Sequence, residues 1–251
     1  MGDIDRPYIS IVVPAFNESD KIAWTIEKIS SFFEKKNYPF EIIVADDASK
    51  DQTFSIVSGL IPKYPWLKAI KLEKNGEKAG AVKEGVLRAS GRYILFTDAD
   101  LSTSIEQVDK LLTTVVTGGY DIAIGSRGLR LSKLVASQGF MRKMMGRIYG
   151  HLINMLLISD IRDTQCGFKL FRHEASQEIF NRLTIQSALF DLEVLLIALK
   201  LGYRVAEIPV TWSHNPDTRL KLNLRTSLKR FVELFRLKYQ WAIIFPYKAK
   251  K

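Results

Sequence analysis

Hydrophobic and polar positions alternate with two different periods along the first half of the chain. Short apolar, β-branched runs predict strands at 8–16, 40–47, 67–73, 93–100 and 121–127. Between these runs, helical spacing of apolar residues covers about 18–36, 51–63, 77–90 and 104–117. Near-continuous Val and Ile runs separated by helices are typical of parallel strands covered on both faces. We therefore expect an α/β fold with an open, mostly parallel sheet flanked by helices.

The second half of the chain is less regular. Its apolar positions predict a long helix, a short strand, a helix, a strand and a basic amphipathic helix, at about 137–159, 167–171, 188–201, 204–212 and 224–240. The sequence has no internal repeat, low-complexity tract or Pro/Gly-rich linker. This favours one continuous domain over residues 1–223, followed by a basic amphipathic segment at 224–251.

Composition and charge narrow the choice of compartment and partner. The single cysteine, Cys166, excludes an internal disulfide framework and fits a reducing compartment. The first residues show no signal-peptide pattern, and no run reaches the roughly 18 apolar residues of a spanning helix. Residues 1–126 hold 15 Lys and Arg against 18 Asp and Glu, whereas residues 127–251 hold 22 against 9. The basic second half predicts an anionic partner (nucleic acid, a phosphate-bearing substrate or an acidic membrane surface), or else a well-solvated basic surface.

Polar and acidic side chains follow three of the predicted strands. They lie in the stretches PAFNES (14–19), DDAS (46–49) and DAD (98–100). Ligands of open α/β sheets bind beyond the carboxyl ends of the strands, so we expect these stretches to converge. Two carboxylates as close as Asp98 and Asp100 are tolerated when a divalent cation neutralises them, and Mg²⁺ and Mn²⁺ share oxygen ligands with substrate phosphates. The pair predicts a metal–diphosphate site; the alternative is a solvated turn or a helix start.

Two further features could contact a nucleotide. Asp46 and Asp47 could accept hydrogen bonds from a ribose hydroxyl or a base N–H, or could form an Asx turn before the next helix. Lys78 lies in the stretch 75–85 near a predicted helix start, where N–H groups and positive charge favour an anion. This stretch lacks the Gly-Lys-Ser/Thr of a Walker loop.

The basic second half offers arginines for an acceptor phosphate. Arg127 follows a predicted strand, and Arg142 and Arg147 lie in the Met- and Leu-rich helical pattern. The planar guanidinium binds phosphate with a fork of N–H donors, so these three residues are the predicted acceptor phosphate ligands. For Arg142, snorkelling on an amphipathic helix is an equally simple explanation.

The order of the motifs is similar to that of one enzyme family. VVPAFNE, ADDASKDQT, KAGAVKEG, TDADLS and IGSR occur in the same order in the inverting family 2 glycosyltransferases of the GT-A fold, which the chain resembles over roughly residues 8–222. The later DTQCGFKLF, FDLEVL and EIPVTW resemble the dolichyl-phosphate β-glucosyltransferase group, to which dolichyl-phosphate mannose synthases are close relatives. The Gln-x-x-Arg-Trp signature of processive synthases is absent from the sequence. Ser102 stands where related mannose synthases often have a glutamine as a further metal ligand.

This resemblance implies a reaction and a set of site residues. The reaction is transfer of glucose from UDP-glucose to dolichyl or another polyprenyl phosphate with inversion, with Mg²⁺ or Mn²⁺ as cofactor; transfer of mannose from GDP-mannose is the alternative. Asp98 and Asp100 would hold the metal, and Asp191 in FDLEVL would have a positional or electrostatic catalytic role. Lys78 joins the donor-binding set because it lies near a predicted helix start. The expected donor-binding residues are Pro14, Ala15, Glu18, Asp46, Asp47, Lys78 and Asp98.

A polyprenyl phosphate acceptor fits the chemistry of the second half. A phosphate monoester has its second pKa near ~6, so the acceptor is already a nucleophilic dianion and needs no general base. Its lipid part requires a membrane surface. The amphipathic patterns at 137–159 and 224–240 predict a protein peripherally bound to the cytoplasmic face of a membrane, although both helices could instead pack into the core or a partner.

Two other classes of protein fit the sequence less well. A nucleotidyltransferase acting on a sugar phosphate would usually carry a Gly-rich loop with Lys or Arg after the first strand, where this chain has PAFNES. A nucleic-acid-binding module would use the basic half, but the sequence has no RNP-like, helix-turn-helix or zinc pattern. We therefore expect no nucleic-acid partner.

Overall fold

The computed structural model describes residues 6–134, 150, 152, 153, 155–213 and 232–239. Its strands are β1 (Ile9–Ala15), β2 (Phe40–Asp46), β3 (Leu67–Lys71), β4 (Tyr93–Thr97), β5 (Ile122–Ser126), β6 (Lys133–Leu134), β7 (Phe168–Arg172), β8 (Val205–Pro209) and β9 (Thr211–Trp212). Its main helices are α1 (Ile22–Phe33), α2 (Thr53–Leu60), α3 (Glu77–Leu87), α4 (Val108–Thr117), α5 (His173–Arg182) and α6 (Phe190–Lys200). A 3₁₀ turn, Ile105–Gln107, directly precedes α4.

Seven of the strands form one sheet in the order β3-β2-β1-β4-β7-β5-β8. Six of them run in the same direction, and β7 lies antiparallel between β4 and β5. The expectation of an open, mostly parallel sheet is therefore confirmed. The short strands β6 and β9 pair with each other in a separate two-stranded sheet.

Side chains that alternate along the strands fill two apolar layers, one on each face of the sheet. Ile11 and Val13 of β1 belong to one layer, and Val12 between them belongs to the other. Helices α1 and α4 cover the first layer with residues such as Ile26 and Leu111, whereas α3, α5 and α6 cover the second. Coverage of both faces explains why the strands read as continuous apolar runs.

Three elements differ from the sequence expectation. Helix α5 was not expected, because its sequence is mostly polar and only one face of it is buried. The strand expected at 204–212 is divided at Val210 into β8, which pairs with β5, and β9, which pairs with β6. Helix α1 begins at Ile22 rather than near 18, because the Glu18 carbonyl first accepts a turn hydrogen bond from the backbone N–H of Lys21.

The long helix expected at 137–159 is described only in its last part. Residues 150, 152, 153, 155 and 156 are helical there, which confirms the expectation for that part. Ile153 is buried in the core, whereas Met155 is exposed. Arg142 and Arg147 lie outside the described residues.

The basic amphipathic helix expected at 224–240 is described at 232–239, and these residues are helical. Leu234 and Leu237 are buried in the core layer formed with α6. Val232, Phe235 and Tyr239 are exposed. One face of this segment therefore packs into the core, and the other carries apolar side chains into solvent. In the described parts of the chain, no helix is both long enough and apolar enough to cross a membrane.

Candidate active site

The loops after β1 and β2 are joined by hydrogen bonds. The N–H of Asp47 donates to the carbonyl of Ala15 at 2.8 Å, and the N–H of Asn17 donates to the Ser49 hydroxyl at 2.8 Å. The N–H of Glu18 donates to the hydroxyl of a threonine at the start of α2, at 2.7 Å. The stretches 14–19 and 46–49 therefore form one surface, with Ala15 as the last residue of β1.

The loop before α3 and the loop after β4 join the same surface. Asp47 Oδ1 accepts a hydrogen bond from the N–H of Gly76 at 2.6 Å. Lys78 Nζ lies 2.5 Å from Asp98 Oδ1. The stretches 14–19, 46–49, 75–78 and 98–100, called the strand-end loops from here on, thus meet at one edge of the sheet. The predicted convergence is confirmed.

Each strand-end loop holds one non-glycine residue, or is followed by one, in the left-handed backbone region. These residues are Asn17 (φ 53°), Ala48 (φ 55°), Glu77 (φ 56°) and Leu101 (φ 45°). This conformation costs an L-residue roughly 1–2 kcal/mol. Such strain persists where surrounding contacts over-determine the backbone, and it is concentrated at functional sites.

Asp46 and Asp47 have different partners. Asp46 is buried, and its Oδ2 accepts a hydrogen bond from the N–H of Ser49 in an Asx turn, while its Oδ1 has no partner among the described residues. Burial raises the pKa of the Asp47 carboxyl, and the charge of Asp46 adds to the rise, although the hydrogen bond from Gly76 opposes it. The turn-forming role foreseen for this pair therefore belongs to Asp46.

Asp98 and Asp100 also differ in their contacts. Asp98 is 37% exposed and faces Lys78, whereas both carboxylate oxygens of Asp100 accept hydrogen bonds from Ser102, at 2.9 Å from its N–H and 2.8 Å from its hydroxyl. Neither aspartate caps a helix, because the first helical turn begins only at Ile105. The helix-start alternative is therefore wrong, whereas Asp100, which is partly buried, does take part in a turn with Ser102.

The donor set of Asp98 and Asp100 suits a hard divalent cation such as Mg²⁺ or Mn²⁺, because both residues offer carboxylate oxygens at an accessible sheet edge. Among the residues that the structure describes, no group of three or more His, Cys, Asp or Glu side chains could hold a metal ion. A cation held by these two residues would take its other ligands from a bound diphosphate and from water, as Mg²⁺ commonly does.

The backbone of Gly167 lies against the Asp98 carboxylate. A Cβ on Gly167 would fall on the Asp98 carboxylate, 2.7 Å from Oδ1. Only glycine therefore allows the backbone to approach this carboxylate so closely. Sequence reasoning did not single out Gly167, because the close approach arises between two strands far apart in sequence.

A buried ion pair connects Asp191 to the same region. Lys169 is completely buried in β7, and its Nζ donates to Asp191 Oδ1 at 2.5 Å and to a backbone carbonyl at 2.6 Å. Burial alone would lower the pKa of Lys78, but the nearby charges of Asp98 and Asp191 outweigh it and raise that pKa. Asp191 is thus close enough to the strand-end loops to act on them electrostatically. A lysine inside the apolar run GFKLF was the signal for this pair.

Arg127 is held by a carboxylate that the sequence analysis did not assign. Its Nε and Nη2 donate to Asp163 at 2.7 and 2.9 Å, and its backbone N–H donates to the same carboxylate at 2.8 Å. Burial raises the pKa of Asp163, but the hydrogen bonds and charge of Arg127 outweigh this effect and lower it. The guanidinium also lies 5.7 Å from the ring of Trp212. In the described part of the chain, Nη1 of Arg127 has no hydrogen-bond partner.

Cys166 is a core residue, as expected. It is buried, and burial raises the pKa of its thiol to about 11. A thiol with so high a pKa is not a nucleophile at neutral pH.

The fold and the cluster of strand-end loops define a glycosyltransferase of the GT-A type. The chain belongs to glycosyl transferase family 2, whose family model matches residues 10–180. It is 33% identical over 251 residues to the dolichyl-phosphate β-glucosyltransferase of Dictyostelium discoideum, covering 96% of this chain and 76% of that protein. The human enzyme of the same name is 34% identical over 230 residues, covering 87% of this chain and 71% of that protein. The Saccharomyces cerevisiae enzyme is 32% identical over 241 residues, with coverage of 88% and 71%.

Solved structures support the same fold. A mannosyltransferase from Pyrobaculum calidifontis in complex with GDP-Man and Mn²⁺ aligns with a TM-score of 0.64 and 20% identity, covering 94% of this chain and 65% of that one. Glucosyl-3-phosphoglycerate synthase from Mycobacterium tuberculosis, in complex with Mn²⁺, UDP and its product, aligns with a TM-score of 0.65 and 18% identity, covering 94% and 80%. At 18–20% identity, these similarities show that the fold is shared and nothing more.

Proposed function

We propose that this chain transfers glucose from UDP-glucose to dolichyl phosphate or another polyprenyl phosphate, with inversion at the anomeric carbon. The observation that carries the proposal is the 31–35% identity to dolichyl-phosphate β-glucosyltransferases of several eukaryotes, which extends over 84–96% of the chain. The catalytic domain comprises residues 1–223, and residues 224–251 form a basic amphipathic segment.

The strand-end loops bind the nucleotide of the donor in this proposal. Pro14 and Ala15 end β1 beside the end of β2, so they and Glu18 border the nucleotide. Asp46 or Asp47 accepts a hydrogen bond from the uridine. This role is supported by the unpartnered Oδ1 of Asp46 and by the position of both carboxylates among the strand-end loops.

Asp98 and Asp100 hold Mg²⁺ or Mn²⁺ in this proposal. When bound, the ion would neutralise the donor diphosphate and stabilise the departing UDP. Lys78 lies in the first turn of α3 with its ammonium beside Asp98, so it can place a further positive charge near the diphosphate. Asp98 therefore serves both the metal and the donor.

The acceptor phosphate approaches from the side of Arg127. Asp163 binds two of the three guanidinium nitrogens, which orients the guanidinium and leaves Nη1 available for a phosphate oxygen. The acceptor dianion attacks without a general base, so Asp191 keeps a positional or electrostatic role, held by Lys169. Arg142 and Arg147 remain proposed phosphate ligands outside the described residues.

A lipid acceptor requires contact with a membrane. Helical residues 232–239 expose Val232, Phe235 and Tyr239 together with Arg236 and Lys238, a combination of apolar and basic side chains that suits a lipid interface. We place the protein peripherally on the cytoplasmic face of a membrane, since its single cysteine fits a reducing compartment.

The test is a transfer assay with a panel of labelled sugar nucleotides, a polyprenyl phosphate and Mn²⁺, followed by extraction of lipid-linked label. Label from UDP-glucose should enter the lipid phase, and label from GDP-mannose, UDP-galactose and UDP-N-acetylglucosamine should remain in water. Preferential transfer from GDP-mannose would overturn the choice of glucose. Absence of lipid-linked label from every donor would overturn the acceptor class.

A further inference from the structure

A groove lies beside the Arg127–Asp163 pair. It has a volume of about 370 Å³ and is lined by Leu129, Arg130, Leu131, Arg162 and Pro209. Three of these five residues are apolar and the other two carry guanidinium groups. Leu131 is 78% exposed, a large apolar surface left in water at the rim of a cationic site. We call this feature the Arg130–Arg162 groove.

The two guanidiniums of the groove are available to a ligand. Arg130 and Arg162 are exposed, and within the described residues neither side chain forms an ion pair or a hydrogen bond. The carboxylates of the neighbouring Asp163 and Glu207 bind other groups. Asp163 binds Arg127, and Glu207 accepts hydrogen bonds from the backbone N–H groups of Arg162 and Asp163, both at 2.9 Å.

A third acid, Asp160, lies near Arg162 in the sequence and is exposed. Asp160, two residues before Arg162, accepts a hydrogen bond from the Ser159 hydroxyl at 3.1 Å. Gly128 lies next to Arg162, because a Cβ on Gly128 would be 3.6 Å from the Cβ of Arg162. The two segments that carry Arg130 and Arg162 are therefore packed against each other, and the arginines flank one groove rather than two separate surfaces.

The groove residues are neighbours in sequence of the Arg127–Asp163 pair. Arg127 directly follows β5, and Asp163 fixes both the guanidinium and the backbone N–H of Arg127. Because Arg162 is the neighbour of Asp163 and Leu129 lies two residues after Arg127, a ligand in the groove would be close to Arg127.

We propose that the Arg130–Arg162 groove receives the acceptor lipid: Arg130 and Arg162 bind its phosphate as it enters, and Leu129, Leu131 and Pro209 contact its first isoprene units. This proposal rests on the proposed function and adds the residues that select the acceptor. An amphipathic phosphate needs unpaired cations next to an apolar surface, and this groove supplies both. Its volume lies within the range of about 300–1,000 Å³ that is usual for small-molecule sites.

The test measures binding and kinetics with a water-soluble two-isoprene phosphate, without membranes. The variants are Arg130→Gln and Arg162→Gln. The control, Arg88→Gln, removes another exposed arginine, which follows α3 and pairs with Glu84 on the helix surface. Each groove variant should weaken binding of the isoprenoid phosphate about tenfold, as expected for loss of a charge-assisted hydrogen bond. It should raise the acceptor KM similarly and leave the donor KM and the Tm unchanged. Arg88→Gln should bind as the wild type does.

A third variant tests the apolar side of the groove. Leu131→Gln should weaken binding of the isoprenoid phosphate about fivefold through lost apolar contact, while binding of inorganic phosphate stays unchanged. Equal affinity of all groove variants and the wild type would overturn the proposal. A defect that appears only with anionic phospholipid vesicles would also overturn it, because the groove would then bind bilayer headgroups. Binding that depends on the groove in a protein without transfer activity would instead refute the proposed function alone.

Discussion

At the scale of single residues, the Lys169–Asp191 pair is a buried contact whose loss should be costly. Lys169→Met would leave the Asp191 carboxylate buried without its cation, and removing one partner of such a pair typically costs about 3–5 kcal/mol. We expect a loss of this size in the unfolding free energy from urea titration. The double variant Lys169→Met/Asp191→Leu should recover most of it, because two apolar side chains pack without a desolvated charge.

Transfer activity of the same variants distinguishes a role of Asp191 in the reaction from a role of the pair in folding stability. The double variant should unfold near the wild-type urea concentration and yet lose transfer, because Asp191 has a proposed electrostatic role in the site. Lys36→Met is the control, since it removes the cation of an exposed pair with Asp109, and such pairs contribute about 0–1 kcal/mol. Full transfer activity in the double variant would show that the pair serves stability only.

Gly167 yields a second prediction at this scale. Gly167→Ala should displace the Asp98 carboxylate, because the new methyl group would overlap it. We expect transfer to fall at least tenfold and the Mn²⁺ concentration for half-maximal rate to rise, since the displaced group is a proposed metal ligand. Metal titrations of the transfer rate measure both effects.

The matched control for this substitution is Gly59→Ala. Gly59 lies in α2, and a Cβ there would meet nothing within 4 Å. This change should raise the unfolding free energy by up to about 1 kcal/mol, because alanine favours the helix. Wild-type transfer and metal dependence in Gly167→Ala would contradict the close approach to Asp98.

The sequence predicted some of the site residues and missed others for a physical reason. Acidic residues directly after apolar strands, such as Asp47 and Asp98, could be found because parallel strands end at one edge. Lys169, Asp163 and Gly167 were missed because their partners come from distant segments. The partner of Asp163, for example, lies 36 residues earlier in the chain. Such pairings follow from the order of strands in the sheet, which hydrophobic periodicity does not contain.

At the scale of elements, the parallel strands β1 to β5 were predictable and the direction of β7 was not. An apolar run predicts a buried strand but not its direction. The sequence FKLFR of β7 therefore fits a parallel and an antiparallel strand equally well. Helix α5 was missed because it buries only one narrow face, with residues such as Ile179 and Phe180, and shows polar side chains elsewhere. The GT-A fold could be anticipated from the resemblance, since the periodicity predicted only an open α/β sheet.

The helical segment 232–239 provides a prediction at the scale of elements. Its exposed face carries Phe235, which is 53% exposed. Val232, one turn earlier, and the neighbouring Arg236 are exposed as well. Phe235→Ser should reduce sedimentation with anionic liposomes at low salt several-fold, because an aromatic anchor is lost while the basic charges remain. High salt should release part of the wild-type protein.

The control for the liposome experiment is Trp24→Ser, which removes an exposed aromatic side chain of α1. This variant should sediment as the wild type does. If the wild-type protein stays equally in the supernatant with neutral and anionic liposomes at low salt, the exposed face of 232–239 does not bind membranes.

At the scale of the whole molecule, Glu41 couples stability to pH. This buried residue accepts hydrogen bonds from Ser10 and Ser90 and pairs with Lys68 at 2.5 Å. Burial alone would raise the pKa of Glu41, but Lys68 and the two serines outweigh it and lower that pKa. Because the folded-state pKa is depressed, the ionised carboxylate contributes stability above the ordinary glutamate pKa of about 4.3. This contribution is lost as the pH falls through the lower, folded-state pKa.

The corresponding variant is Glu41→Gln. It should lower the unfolding free energy at pH 7 by about 1–3 kcal/mol, and the difference from wild type should shrink as the pH falls below about 4. Urea titrations at several pH values measure this trend. Glu27→Gln, on the exposed face of α1, should leave the pH dependence unchanged. A difference from wild type that stays constant down to pH 3 would contradict the depressed pKa of Glu41.

The proposed reaction of the whole protein has a single defining product, a polyprenyl-phosphate β-glucose. We would incubate the wild-type protein and Asp100→Asn with ¹³C-labelled UDP-glucose, Mn²⁺ and a short polyprenyl phosphate, and determine the anomeric configuration of the extracted product by NMR. The wild type should form the β-linked glucosyl phosphate, and Asp100→Asn should form at least about 100-fold less of it because a proposed metal ligand is lost. An α-linked product, or full activity in Asp100→Asn, would contradict an inverting, metal-assisted glucosyl transfer at the strand-end loops.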